Sequence, residues 1–148
     1  MNISITIDIK NSPDKVFYWL DDPSRTIKWM TSVSKTEIVS QTPGMVGTTF
    51  RERVEEDGRG TELRGVVTDF VSNQRLAFHL ESDFNTVDVS YTLEEQGELT
   101  RLSQTAKIHF KGWLKVFSIL FGPLFKRKIT NQARSEFARL KALCEQDG

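Results

Sequence analysis

The chain has 148 residues, 38% apolar and 27% charged, with 20 basic side chains against 20 acidic. That length suits one domain around one core, and the composition excludes extensive disorder. The balanced charge leaves no global footprint for nucleic acid, and a single cysteine, Cys144, excludes an internal disulfide and a multi-cysteine metal site.

Ile3, Ile5, Ile7 and Ile9 alternate with Ser4, Thr6, Asp8 and Lys10, the period-2 pattern of a strand with one buried face. The same N-terminus lacks a basic segment followed by an apolar run, so no signal peptide is expected and the cytoplasm is the expected location. In NSPDKVFYWLDDP, Ser12 is placed to cap a helix that starts at Pro13, with Asp14 at its positive end. Asp22-Pro23 stops that helix, and a second short one is predicted up to Trp29.

Six alternating stretches follow, at about 34–41, 47–56, 60–71, 75–82, 86–96 and 99–110. Pro43-Gly44, Asp57-Gly58, Ser72-Asn73 and Gly97 punctuate them, and such short spacers predict an antiparallel meander. From Trp113 the period becomes helical, with Phe125, Ile129, Ala133, Phe137, Leu140 and Cys144 on one stripe. As one straight helix this segment would reach about 50 Å, longer than a small domain is wide. Pro123 therefore predicts a kink near Gly122. The block from Trp113 to Phe125 is too short to span a bilayer.

Four stretches in this order, SPDKVFYWLDDP with Trp29, PGMVGTTF at 43–50, VVTDFVSNQRLAF at 66–78 and GPLFKRKITNQARSEFARLKALCE at the end, resemble the START-like, helix-grip (SRPBCC) superfamily in its polyketide cyclase/dehydrase and lipid-transport branch. The resemblance covers nearly the whole chain. It implies an α+β fold of one domain over 1–148: a curved antiparallel sheet of about seven strands around a long kinked C-terminal helix, with two short helices after the first strand. It also implies an apolar cavity between sheet and helix that holds a small hydrophobic molecule. No catalytic motif, metal or cofactor comes with it.

Strand parity puts three polar side chains, Glu52, Tyr91 and Gln104, on an otherwise apolar inner face, the pattern of a wall for a mostly apolar ligand. Three readings of Glu52 stand side by side: it reaches solvent or pairs with an arginine, it touches a ligand, or it moves protons. Asp69 shares the parity unless a bulge reverses it. His79 and His109 have the opposite parity, which argues against a zinc site, and Cys144 reads as a buried apolar residue rather than a nucleophile. Phe117, Phe121 and Phe125 recur every four residues and are expected to form the helical wall of the cavity. The candidate ligand contacts are then Trp29, Phe50, Glu52, Phe78, Tyr91, Gln104, Ile108, Phe117, Phe121 and Phe125.

Two other functions compete with a carrier or sensor. One is a cyclase or dehydratase that uses a cavity acid or base. The other is an interaction module, because residues 107–148 hold nine Lys and Arg against Glu136, Glu145 and Asp147. Among them Lys111, Lys115, Lys126, Arg127 and Lys128 offer weak contact with an anionic membrane. Ligand identity and oligomeric state are not encoded in these patterns.

Overall fold

The structure, a computed structural model, describes residues 1–56 and 58–146. One seven-stranded antiparallel sheet forms the body: β1 (Asn2–Ile9), β2 (Val33–Ser40), β3 (Thr49–Glu56), β4 (Arg59–Val71), β5 (Arg75–Glu81), β6 (Asn85–Gln96) and β7 (Leu99–Phe110). Its strand order is β1-β7-β6-β5-β4-β3-β2, so six consecutive strands form a meander and β1 closes on the last of them. Between β1 and β2 lie α1 (Pro13–Tyr18) and α2 (Pro23–Thr26), and α3 (Trp113–Gln146) ends the chain. This is the helix-grip architecture, and each predicted strand lies within two residues of its observed position.

The turns form where glycine or asparagine adopts a left-handed backbone. Asn73 (φ 65°) ends the β4–β5 hairpin and Gly97 (φ 64°) the β6–β7 hairpin. Gly58 (φ 78°) does the same after β3, while Asp57 of that predicted turn lies outside the described residues. A register shift between Val67 and Asp69 marks a bulge in β4. It reverses the side of Asp69, whose carboxylate pairs with Arg75 Nε at 2.8 Å on the surface.

One local expectation needs correction. Ser12 does occupy the N-cap of α1, but its side chain makes no capping hydrogen bond. Its hydroxyl donates to the Asp14 carboxylate and lowers that acid's pKa, because the bond favours the ionised form. The break in α3 falls at Phe121 (φ −118°, ψ 16°), next to Gly122 as the proline predicts. Pro123 has no N–H to donate to the carbonyl of Ile119 one turn below, and its ring crowds that carbonyl, so the helix breaks just before the ring.

Beyond the kink, α3 buries the predicted stripe: Phe137, Leu140 and Cys144 are fully enclosed, and Ile129 and Ala133 pack beside them. They meet Ile3, Ile5 and Ile9 of β1, Leu102 and Ile108 of β7, and Trp29 and Tyr91. Asn11 Nδ2 donates to the carbonyl of Cys144 at 2.8 Å, and Lys141 Nζ donates to the carbonyl of Asp8 at 2.7 Å, fixing the helix end to β1. The burial difference along α3 predicts unequal costs for the same truncation. Phe137→Ala, at 1% exposure, should cost about 3–5 kcal/mol in urea unfolding, whereas Phe121→Ala, at 43% exposure, should cost under about 1 kcal/mol.

Candidate functional site

A cleft opens between the concave face of the sheet and the α2–β2 segment. Its walls come from β3 (Phe50, Glu52), β4 (Val67), β5 (Leu76, Phe78), β6 (Tyr91), β2 (Thr36, Ile38), the loop at Met45 and Thr48, and α2 with the turn after it (Pro23, Thr26, Trp29, Met30). The cavity volume is about 70 Å³, well below the roughly 300–1,000 Å³ of typical ligand pockets. An occupant of more than a few heavy atoms must displace the wall formed by α2 and the 41–48 loop.

The aromatic walls are held from behind. Trp29 Nε1 donates to the carbonyl of Trp19 at 2.8 Å, and its ring sits 6.1 Å from Phe137. Phe50 and Phe78 meet edge to face at 5.7 Å, and Phe78 lies 6.0 Å from Tyr91. Phe50 takes its position because its register partner on β4 is Gly65. A Cβ at Gly65 would overlap the Phe50 ring. Tyr91, fully buried, accepts a hydrogen bond from Gln104 Nε2 at 3.2 Å.

Glu52 stands on this apolar wall with 9% exposure. Among the described residues no group hydrogen-bonds its carboxylate and no arginine reaches it. Burial, and then repulsion from Glu136, push its pKa up to about 7. Glu136 itself is raised by burial, although it accepts a 2.6 Å bond from the backbone N–H of Thr31 that opposes the shift. Burial and the two carboxylates together push the Tyr91 hydroxyl upward as well, so it stays protonated.

Directly across the β2–β3 ladder from Glu52 is Thr36. Its Oγ1 is buried without a hydrogen-bond partner, and it too lines the cleft. The unpartnered Thr36 hydroxyl and the Glu52 carboxylate thus sit side by side on an apolar surface, although buried groups such as this hydroxyl ordinarily find partners. Sequence reasoning missed Thr36, along with Leu20, Thr26, Met30, Ile38 and Met45. The available signal was the hairpin itself, since pairing β2 with β3 brings Thr36 to the face that Glu52 occupies.

Of the ten predicted contacts, the structure brings Trp29, Phe50, Glu52, Phe78 and Tyr91 together in the cleft. Gln104 stands one step behind, touching Tyr91, and Ile108 is core beneath α3. Phe117, Phe121 and Phe125 are not among the walls. Their rings stack on one another at 4.6 and 5.2 Å, and Phe125 rests on Phe110 at 6.2 Å. The reason is that these rings pack on one another and on Phe110 of β7, rather than against the residues that line the cleft. His79 faces outward and bonds Asp88 at 2.6 Å, and His109 is exposed. Among the described residues no group of three or more His, Cys, Asp or Glu could hold a metal ion.

Comparison with known proteins fits this architecture. The chain belongs to the family described as polyketide cyclase / dehydrase and lipid transport, whose model matches residues 1–145. A START superfamily protein from Mycobacterium smegmatis is similar in structure, with a TM-score of 0.79 at 16% identity and 99% of each chain covered. The ZhuI aromatase/cyclase from Streptomyces sp. R1128 gives a TM-score of 0.82 at 12% identity, over 99% of this chain and 94% of that one. A protein from Thermus thermophilus gives 0.82 at 17% identity over 97% of each chain. At these identities the likeness is one of fold. No curated protein matches the chain in sequence.

The state of Glu52 sets a pH dependence. The fold binds this proton more tightly than the unfolded chain does, so stability is highest below the ordinary glutamate pKa of about 4.5 and falls as pH rises through about 7. A shift of this size corresponds to a loss on the order of 3 kcal/mol once the carboxylate is fully ionised. Glu52→Gln should lack this part of the fall, and should be the more stable protein at pH 8 in urea unfolding. Equal stability of the two proteins at that pH would show that the carboxylate is not desolvated.

Proposed function

We propose that the protein is a cytoplasmic carrier or sensor that binds a small, mostly apolar molecule bearing one polar group in the cleft. The supporting observation is the pair Glu52 and Thr36, adjacent across two strands on an aromatic wall, the Thr36 hydroxyl buried without a partner and the Glu52 carboxylate making no hydrogen bond among the described residues. A ligand group that donates to the Glu52 carboxylate and bonds the Thr36 hydroxyl would satisfy both at once. An isolated unsatisfied polar group costs about 1–3 kcal/mol, so filling both adds to the affinity from apolar burial. The aromatic rings then supply shape, and the two oxygens supply orientation.

A second reading rests on the same carboxyl group. A pKa near 7 gives Glu52 comparable populations as acid and as base at neutral pH, the condition that favours general acid–base catalysis. On this reading the cleft holds a carbonyl compound while Glu52 accepts a proton from an adjacent carbon or returns one to oxygen. The likeness in fold to an aromatase/cyclase is consistent with such chemistry without supplying a residue for it.

Fluorescence titration with N-phenyl-1-naphthylamine, an apolar probe with one N–H donor, tests the binding reading. Wild type should bind it, and Glu52→Leu should weaken binding by about tenfold, the worth of one hydrogen bond to a charged acceptor at its lower limit. Gly65→Ala, which displaces the Phe50 ring from its place in the wall, should also weaken it, at a stability cost of about 1–3 kcal/mol. Probe uptake indifferent to both substitutions would remove the cleft as the binding site. Native mass spectrometry of freshly purified protein separates the two readings, because a cyclase would convert an added candidate substrate, changing its mass or its fragmentation, whereas a carrier would return it intact.

A further inference from the structure

The part of α3 before its kink presents an apolar face to the outside. Trp113, Val116, Phe117, Leu120 and Leu124 recur at helical spacings of three and four and so share one side. Trp113 is 72% exposed, Leu120 70% and Leu124 65%. Ile119, on the adjoining flank, is 74% exposed. The sides turned to the protein carry Leu114, Ser118 and Gly122, all partly buried. This inverts the usual pattern, in which the apolar stripe of a surface helix faces the core. A contiguous patch of this kind marks a contact surface.

The charges carried by the segment itself and by its sequence neighbours are of one sign. Between Glu98 and Glu136 the sequence holds no acidic residue. Lys115 lies within the segment, and Lys126, Arg127 and Lys128 follow it, all exposed. Lys111 precedes it, partly committed to the carbonyl of Ser82 at 2.9 Å and to Glu81 at 3.9 Å. Twelve helical residues from Trp113 to Leu124 extend about 18 Å, too little to cross hydrocarbon, and no helix among the described residues is long and apolar enough to do so.

We propose that this face docks on an anionic lipid surface, with the Trp113–Leu120–Leu124 side lying in the plane of the interface and the basic residues at the headgroups. An apolar strip flanked by lysine and arginine is what a negatively charged leaflet accommodates: the side chains leave water while the cations meet lipid phosphates. A second copy of the chain fits less well, because a two-fold pairing through this face sets one basic rim against the other. The docking is independent of the cleft and of what occupies it.

Vesicle sedimentation tests it, with phosphatidylcholine alone and phosphatidylcholine mixed with phosphatidylglycerol. Wild type should bind the mixed vesicles at about 0.01 M ionic strength, bind the neutral ones far more weakly, and lose affinity toward 1 M salt as screening shortens. Changing Lys126, Arg127 and Lys128 together to Gln should weaken binding on the order of a hundredfold, at about fivefold for each cation. Leu120→Glu with Ile119→Glu should abolish it while leaving thermal unfolding unchanged, since both side chains are exposed. Trp19 and Trp29 are buried, so the blue shift in tryptophan emission on adding vesicles should disappear in Trp113→Phe. Absence of binding at low salt, equal binding to both vesicle types, or full binding by the double glutamate variant would overturn the proposal. So would a dimer in sedimentation equilibrium that the same variant breaks, if vesicles are not bound.

Discussion

The packing of Phe137 between Trp29 and Tyr91 is the contact on which the rest of the molecule depends. Its ring lies 6.1 Å from one and 6.3 Å from the other, so a single side chain of α3 joins the helix to the α2–β2 connection and to the middle of the sheet. Leu140 and Cys144 continue the same buried stripe toward β1. The residue before Phe137 extends the grip by polar means. Glu136 accepts from the backbone of Thr31, and one turn earlier Gln132 donates to Ser32 Oγ at 2.9 Å. The segment that forms one side of the cleft is therefore tied to the helix that fills the concave sheet. The cleft keeps its shape because the core does.

That arrangement has an electrostatic cost, which falls on the cleft. Holding Thr31 and Ser32 with a carboxylate places a second negative charge near Glu52, and that charge adds to burial in resisting the ionisation of Glu52. A glutamine at position 136 could still accept a hydrogen bond from Thr31 without that charge. The carboxylate thus links the strap over the cleft to the protonation of its floor, so a change at either end is felt at the other.

Much of the fold was legible because each strand buries one face only. Alternation in Ile3–Ile9 and along 86–96 and 99–110 reads directly as inside and outside, and parity alone singled out Glu52 and Tyr91. Even the alternative sides open to Asp69 followed from the local rule, since a bulge near a turn shifts parity by one. The failures lie where the pattern is symmetric under rotation. Phe117, Phe121 and Phe125 announce a stripe, but a stripe carries no label for the side the protein occupies. Here the rings pack on one another and on Phe110, and the cleft lies elsewhere. Thr36 was illegible for a different reason: a threonine on an edge strand is ordinary, and only its pairing with Glu52 gives it meaning.

A side chain that is half protonated at neutral pH also makes the cleft a proton reservoir. Any molecule that enters and bonds the ionised form of Glu52 will expel part of that bound proton, and any that needs the acid form will draw one from the medium. The heat evolved on binding must then include the heat of protonating or deprotonating the buffer. Titration calorimetry in two buffers of different ionisation enthalpy would count the protons exchanged, and their sign would tell whether the ligand offers a hydrogen to the cleft or takes one from it.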